Sequence, residues 1–119
     1  MFQKESFSVP SDSSGIFLVK VIQTRKSSNT RHACIGRFLR VVIKNTKTSL
    51  NKRKKKKNRA ICIRSKMFFC KKDNTIYRFA DNALIILKKR MNTFGKELYG
   101  PTSKHLKIKK FRIAFKSVF

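Results

Sequence analysis

The chain has 119 residues, and its 31 Lys or Arg against 5 Asp or Glu give a formal net charge of +26. This length suits one domain with one modest core, and the charge concentrates like-charge repulsion on a small surface, which implies a neutralising partner. The hydrophobic fraction of 40%, with 11 Phe, excludes a disordered basic tail and indicates a folded polycation.

The chain begins with MFQKESFSVPSDSSG, which has neither the apolar core of a secretory signal nor the Arg-rich pattern of a transit peptide. This predicts a protein that acts in the compartment where it is made. No apolar run approaches the roughly 18 residues of a spanning helix, so no membrane span is predicted. The leaning towards Lys, Asn, Phe and Ile is typical of A+T-rich coding and indicates an organelle-encoded gene.

Apolar runs separated by polar turns fill the middle of the chain. The first two, GIFLVKVIQ from Gly15 and CIGRFLRVVIKN, are rich in β-branched and aromatic residues and predict strands. A basic stretch follows, and then come AICIRSKMFF, TIYRFADN and ALIIL, with CKKDN as a hairpin connection. This order predicts a meander of about five strands, a number that can close into a small barrel.

The last third of the chain changes character at FGKELYGPT, a loop that contains Gly95, Gly100 and Pro101. Residues 103–119 alternate basic and apolar side chains, which suits a short helix followed by either a helix or a strand. We favour a helix after Pro101.

The run KRKKKK at residues 52–57 has three interpretations: a nuclear-import signal, a solvated charge run or a phosphate-binding loop. Its position between two predicted strands favours a connecting ribbon whose Lys side chains follow a phosphate backbone. Basic clusters occur in the other loops as well, which a single import signal would not need. Nucleic acid is therefore the favoured polyanion, ahead of a membrane surface, and the alternative function is a basic nuclear nucleic-acid-binding module.

Enzyme or metal chemistry is not indicated. Cys34, Cys62 and Cys70 form no C-x-x-C pair and only two His are present, so no disulfide framework, metal site or cofactor is predicted. Asp73 and Asp81 suit turns better than an acid/base dyad. The chain is predicted not to be an enzyme, with a nuclease as a distant third function.

Phe68 and Phe69 are adjacent on a predicted strand, where neighbouring side chains point to opposite faces. One of them is therefore predicted to be exposed, as a contact for RNA or for a protein neighbour. The other Phe at strand spacing are predicted to lie in the core.

The stretch AICIRSKMFFCKKDNTIYRFADNALIIL resembles the signature of the universal large-subunit ribosomal protein fourteen family, in its bacterial and organellar form. That family shows an Ala with three β-branched residues, a loop ending in Asp-Gly, then Arg-Phe, Asn-Ala and an apolar triplet. The positions that match without a gap are Ala60, Ile61, Ile63, Arg64, Asp73, Arg78, Phe79, Asn82, Ala83, Ile85, Ile86 and Leu87. SDSSG, RHACIGR and FGKELYGP are similar to flanking family segments, so the resemblance covers almost the whole chain.

Some departures from the family pattern are changes towards basic residues, whereas others lose a family Arg, with Ile16 and Phe17 after Gly15 and Glu97 in the late loop. Arg37 replaces an Asp, and residues 55–57 are Lys in place of Gly-Asp-Val. Asn74 stands where the family has a turn Gly. Because Asn tolerates positive φ, the hairpin is predicted to be retained.

The resemblance implies an all-β fold with minor α content: a five-stranded closed β-barrel with a projecting β-ribbon and short C-terminal helices. It implies a single ribosomal-protein domain over residues 1–119, with the barrel over about 1–90 and the C-terminal loop and helices over about 91–119.

The resemblance also implies a structural role in the large ribosomal subunit. Its implied partners are large-subunit rRNA, neighbouring large-subunit proteins, small-subunit rRNA across the subunit interface, and a ribosome-silencing factor. With the composition, it favours the matrix ribosome of a mitochondrion over that of a plastid.

Two sets of residues are predicted to carry these roles. The predicted phosphate contacts are Arg31, Lys54, Lys55, Lys56, Lys57, Arg64, Lys66, Lys71, Lys72 and Arg78. The predicted turn and structural residues are Gly15, Gly36, Asp81, Asn82, Gly100 and Pro101. Residues 96–119 are the predicted surface for protein neighbours and for the subunit bridge.

Overall fold

The computed structural model describes residues 1–24, 32–47 and 57–119. Within these ranges the chain is mostly β, with one short α-helix, and the predicted class of all-β with minor α is confirmed. The elements are β1 (Phe2–Gln3), β2 (Phe7–Ser8), β3 (Ile16–Thr24), β4 (His32–Ala33), β5 (Phe38–Thr46), β6 (Lys57–Arg64), β7 (Phe69–Cys70), β8 (Ile76–Tyr77), β9 (Ala83–Leu87), a 3-10 segment (Lys89–Met91) and α1 (Lys109–Ile113).

The central element is a five-stranded antiparallel sheet in the order β2-β3-β5-β6-β9. β5 alternates between the two faces of this sheet: Leu39, Val41 and Ile43 are buried, whereas Arg40 and Lys44 are exposed. This is the period-2 pattern of a strand with one buried face. Two smaller two-stranded sheets, β1-β4 and β7-β8, flank the central sheet.

Two clusters of buried side chains lie on the two faces of the sheet. The first core contains Phe2, Ile16, Val19, Val21, Ala33, Leu39, Val41, Ile43, Ala60, Cys62, Leu84 and Ile86. The second core contains Ile35, Ile61, Ile63, Phe79, Ala83, Ile85, Leu87, Leu106, Phe111 and Phe115. β6 and β9 send alternate side chains to each core, which is why the run ALIIL is buried at every position.

The prediction of a closed barrel is wrong. The edge strands of the described sheet are β2 and β9, and the segment after β2 meets β9 only at a single parallel bridge between Pro10 and Leu84, with the Ser11 N–H donating to the Leu84 carbonyl at 2.9 Å. Proline has no N–H to donate to a ladder, and β2 is two residues long. The ladder that would close the sheet therefore does not form.

The predicted hairpin at CKKDN is confirmed. β7 and β8 pair across it, and the Lys71 N–H donates to the Thr75 carbonyl at 2.9 Å. Asn74 has a φ of 63°, the left-handed conformation that an Asn adopts more readily than most residues. The predicted ribbon at residues 52–57 lies outside the described residues, apart from Lys57 at the start of β6.

The chain after residue 100 forms one α-helix, where the resemblance implied several. α1 lies beyond Pro101 as expected, and its Phe111 packs in the second core together with Phe115. The C-terminus then returns to residues 102–104, because the Phe119 N–H donates to the Thr102 carbonyl at 2.9 Å. The division into parts at about residue 90 stays a prediction.

Candidate nucleic-acid interface

The structure divides the predicted phosphate contacts into three groups. Arg31, Lys54, Lys55 and Lys56 lie outside the described residues. Lys57, Lys66, Lys72 and Arg78 are exposed, and Lys71 is half-buried. Arg64 is buried.

A basic surface with one exposed aromatic ring forms around the β7–β8 hairpin. We call it the hairpin surface and define it by Lys66, Phe68, Lys71, Lys72 and Arg78. The Arg78 guanidinium carbon lies 5.0 Å from the centroid of the Phe68 ring, and Lys66 and Arg78 line the same shallow cleft. Phe68 is 62% exposed, whereas Phe69 packs against the second core, so the predicted opposition of these two residues is confirmed.

The hairpin surface can bind a polyanion in two ways. Its ammonium and guanidinium groups can neutralise phosphates, and the exposed Phe68 ring can stack on an unpaired base. The quadrupole of the Phe68 ring attracts the Arg78 guanidinium, and this attraction holds a phosphate-binding cation beside the ring that would stack on a base. Lys71 is held in the same manner, with its Nζ 5.5 Å from the Tyr77 ring centroid.

The structure contradicts the prediction that Arg64 contacts phosphate. Its side chain uses all five N–H groups within the protein: Nε and Nη2 donate to the two carboxylate oxygens of Asp81 at 3.0 and 3.1 Å, and Nη2 also donates to Ser11 Oγ. Nη1 donates to the carbonyls of Tyr99 and Pro101 at 2.8 and 3.1 Å. Arg64 therefore ties the end of β6 to three other segments and has no donor left for a ligand.

Several predicted turn residues surround this buried guanidinium. Gly100 has a φ of 77°, and a Cβ at this position would lie 2.6 Å from Arg64 Nη1, so only Gly allows the close approach. Asp81 is the carboxylate partner. The neighbouring Asn82 accepts hydrogen bonds at Oδ1 from the Lys66 N–H at 2.9 Å and from the Met1 ammonium at 2.6 Å. Gly15 and Gly36 also have positive φ.

A second basic surface was missed by sequence reasoning. We call it the strand-end groove and define it by Lys57, Arg59, Lys88, Lys89 and Arg90, which line one groove. The pairing of Arg59 with Leu87 in the β6–β9 ladder brings these two distant segments together. The cluster at residues 88–90 was visible in the sequence, but no local pattern connects it to Arg59.

The acidic residues do little to neutralise these surfaces. Lys20 forms an ion pair with Glu5 and lowers the pKa of that carboxyl, and hydrogen bonds from Thr75 lower the pKa of Asp73. Burial raises the pKa of Asp12, whose Oδ1 accepts the Ser14 hydroxyl at 2.5 Å. Among the described residues the ion pairs are therefore Lys20 with Glu5 and Arg64 with Asp81.

Two negative findings apply to residues 1–24, 32–47 and 57–119. No three His, Cys, Asp or Glu side chains in these ranges lie together as a metal site would require. No helix in them is long and apolar enough to cross a membrane.

A groove of different character lies at the C-terminal end of the molecule. Its walls include Leu98, Tyr99, Ala114 and Phe119, with Glu97 at the side. Tyr99 and Phe119 are exposed by about half of their area. The groove thus combines apolar surface with Glu97 and with the basic residues Lys96 and Lys116, within the segment predicted to face protein neighbours.

The family model described as ribosomal protein L14p/L23e matches residues 1–117. The chain is similar to the large ribosomal subunit protein uL14m of Tetrahymena pyriformis, with 34% identity over 115 residues that cover 97% of each chain. It is also similar to the large ribosomal subunit protein uL14 of Carsonella ruddii (strain PV), with 31% identity over 111 residues, 93% of this chain and 91% of the relative. These matches extend over nearly all of both chains, and the protein therefore belongs to the ribosomal protein L14p/L23e family.

Proposed function

We propose that this protein is a structural, non-enzymatic constituent of the large subunit of a mitochondrial ribosome, where it binds rRNA. The observation that carries the proposal is the family match over residues 1–117. The name of the Tetrahymena relative, uL14m, supports a mitochondrial ribosome, and an amino-acid composition typical of A+T-rich coding supports a gene within the organelle.

The geometry suggests how such a protein would act. The central sheet is buried on both faces at β6 and β9, which makes it a rigid frame. The hairpin surface and the strand-end groove project cations from this frame, so each would neutralise phosphates and hold rRNA segments in fixed relative positions. Because Lys and Arg at phosphates read charge and shape, binding should depend strongly on salt and weakly on base sequence.

The proposal extends to partners beyond large-subunit rRNA. We assign Lys57, Lys66, Lys71, Lys72 and Arg78 to phosphate contacts, together with the predicted contacts outside the described residues. The C-terminal groove is the proposed surface for neighbouring proteins, for small-subunit rRNA at the subunit interface and for a ribosome-silencing factor. Its apolar side chains suit a protein neighbour, and Lys96 and Lys116 on its lining can contact phosphates of small-subunit rRNA.

Co-sedimentation tests the proposal. The full chain with an affinity tag should migrate with large subunits on a gradient of mitochondrial extract, and it should stay there after a high-salt wash, because many phosphate contacts act together. Loss of the protein to the top of the gradient after the wash would contradict an integral ribosomal role. Recovery in nuclei instead would favour the alternative of a nuclear nucleic-acid-binding module.

A further inference from the structure

Two arginines stand directly opposite each other on neighbouring strands. Arg40 of β5 is the register partner of Arg59 of β6. Both are exposed, and the neighbours Leu39 and Ala60 point into the first core, so the two guanidinium groups lie on the same outer face of the sheet. Directly opposed residues have Cβ atoms about 5 Å apart, and like charges in this arrangement destabilise the strand pair.

No carboxylate among the described residues compensates for this repulsion. All 5 Asp and Glu lie in the described ranges, because residues 25–31 and 48–56 contain none, and no acidic residue forms an ion pair with Arg40 or Arg59. Arg59 Nη1 lies 3.6 Å from the Met91 sulfur, a weak neutral acceptor that offsets no charge. The counter-charge must therefore come from another molecule.

The surroundings of the pair suit a single small anion. Lys57 precedes Arg59 by two residues, so it projects from the same face, and the three cations line one small cleft. The C-terminal segment covers the next part of this face, where Ile61 and Ile63 meet the second core. The C-terminal segment does not extend over Arg59, which is exposed, so the cleft stays accessible.

We propose that Arg40 and Arg59, with Lys57 beside them, bind one phosphate group of the RNA backbone between them. This inference rests on the proposed rRNA-binding function and assigns a specific phosphate site to strand residues. Guanidinium groups suit the role because each can donate two parallel hydrogen bonds to phosphate oxygens. A bound phosphate attracts both arginines and thereby offsets the repulsion between them. The anion would therefore stabilise the pairing of β5 with β6.

Thermal unfolding of the full chain in sodium chloride and in sodium phosphate of equal ionic strength tests the site. For the wild type, phosphate should raise Tm above the value in chloride. Arg40→Gln should raise Tm in chloride by about 2 to 4 °C, because the repulsion is gone, and should show a smaller additional rise in phosphate than the wild type, namely only the part that comes from exclusion of phosphate from the surface. The matched control is Arg37→Gln, which removes an exposed arginine before β5 and should retain the rise in phosphate. Arg59→Gln should behave like Arg40→Gln and serves as a second, independent variant.

Binding to a 12-nucleotide polyuridylate RNA distinguishes a shared backbone phosphate from a site for the free ion. Each single variant should lower the slope of log K against log salt by about 0.7, the contribution of one phosphate on a single strand. The double variant Arg40→Gln/Arg59→Gln should lower it by the same amount, because both residues serve one phosphate. Additive losses, or a phosphate response of Arg40→Gln as large as that of Arg37→Gln, would overturn the proposal. A rise of Tm in phosphate with no effect on RNA binding would also overturn it, since it would indicate a site for the free ion.

Failure of this inference and failure of the proposed function give different results. If the protein co-sediments with large subunits while Arg40→Gln behaves like Arg37→Gln, only the shared site is excluded. If the variants behave as expected but the protein is absent from large subunits, the phosphate site stands and the ribosomal role is excluded.

Discussion

Arg64 shows how a basic residue in a highly basic protein can be structural. Its side chain is 7% exposed, and its guanidinium donates to Asp81, Ser11 and two backbone carbonyls. Burying a charge is tolerated only when a partner charge and hydrogen bonds replace the lost water. Arg78, only fourteen residues later, has the same side chain on the surface, where it can serve RNA.

We expect Arg64→Met to lower the free energy of unfolding by about 2 to 4 kcal/mol, because it leaves the part-buried acceptors of Tyr99, Pro101 and Asp81 without their donor. The matched control Arg78→Met, on the exposed hairpin surface, should change stability by less than about 0.5 kcal/mol but should reduce the salt dependence of RNA binding. Urea unfolding and RNA titrations measure the two effects. A stable Arg64→Met variant with impaired RNA binding would reverse the roles assigned to these residues.

Cys62 and Cys70 should differ in reactivity because Cys62 is buried and Cys70 is exposed. Cys62 is fully buried in the first core, and burial raises the pKa of its thiol to about 12, whereas Cys70 is exposed. Since the thiolate is the reactive form, iodoacetamide at neutral pH should label Cys70 rapidly and Cys62 only after unfolding. Mass spectrometry of the labelled peptides measures both rates. Equal labelling of the two residues in the native protein would contradict the burial of Cys62.

At the scale of single elements, the β7–β8 hairpin depends on one backbone conformation. Asn74 is exposed and has a φ of 63°, so its contribution to stability comes from its backbone. Asn74→Gly should leave the free energy of unfolding within about 0.5 kcal/mol, while Asn74→Val should cost about 1 to 2 kcal/mol because a β-branched residue resists positive φ. Thermal unfolding compares the variants. Equal stability of the Val variant would show that the turn readily adopts another conformation.

Helix α1 stabilises the fold through one face only. Phe111 is 1% exposed in the second core, whereas Ile113 on the same helix is 80% exposed. A helix of five residues has little stability of its own, so its position depends on this contact. Phe111→Ala should cost about 3 to 5 kcal/mol of unfolding free energy, and the control Ile113→Ala should change it by less than about 0.5 kcal/mol. Similar effects of both changes, measured by urea unfolding, would contradict the assignment of the helix as a cover of the core.

At the scale of the whole molecule, repulsion between like charges dominates the electrostatics. A net charge of +26 on 119 residues is opposed by two ion pairs among the described residues. Salt screens charges that are separated by more than the Debye length, which is about 8 Å at physiological ionic strength. The free protein should therefore be less stable in dilute buffer than on the ribosome, where phosphates supply the counter-charge.

Increasing sodium chloride should raise the Tm of the RNA-free chain, since screening weakens repulsion among many cations more than attraction within two ion pairs. Differential scanning calorimetry over a range of sodium chloride concentrations measures the effect, and chloride is chosen because sulfate and phosphate also act by exclusion from the surface. A Tm that falls with added salt would show that attractive pairs outweigh the repulsion.

Local patterns in the sequence were sufficient for much of this description. The period-2 strands β3 and β5, the hairpin at CKKDN with Asn74, the exposure of Phe68 and the need for a polyanion all follow from neighbouring residues or from composition. The family could be identified for the same reason, because its signature is a contiguous stretch.

Only the tertiary structure decided the features that depend on register and on contacts between distant segments. Whether the sheet closes depends on whether Pro10 and Leu84 extend a ladder, and the burial of Arg64 depends on carbonyls 35 and 37 residues away. The opposition of Arg40 and Arg59 follows from strand register, which a shift of one residue would abolish. Charge and periodicity are properties of the local chain, but the partner that each charge meets is selected by packing between segments that are far apart in sequence.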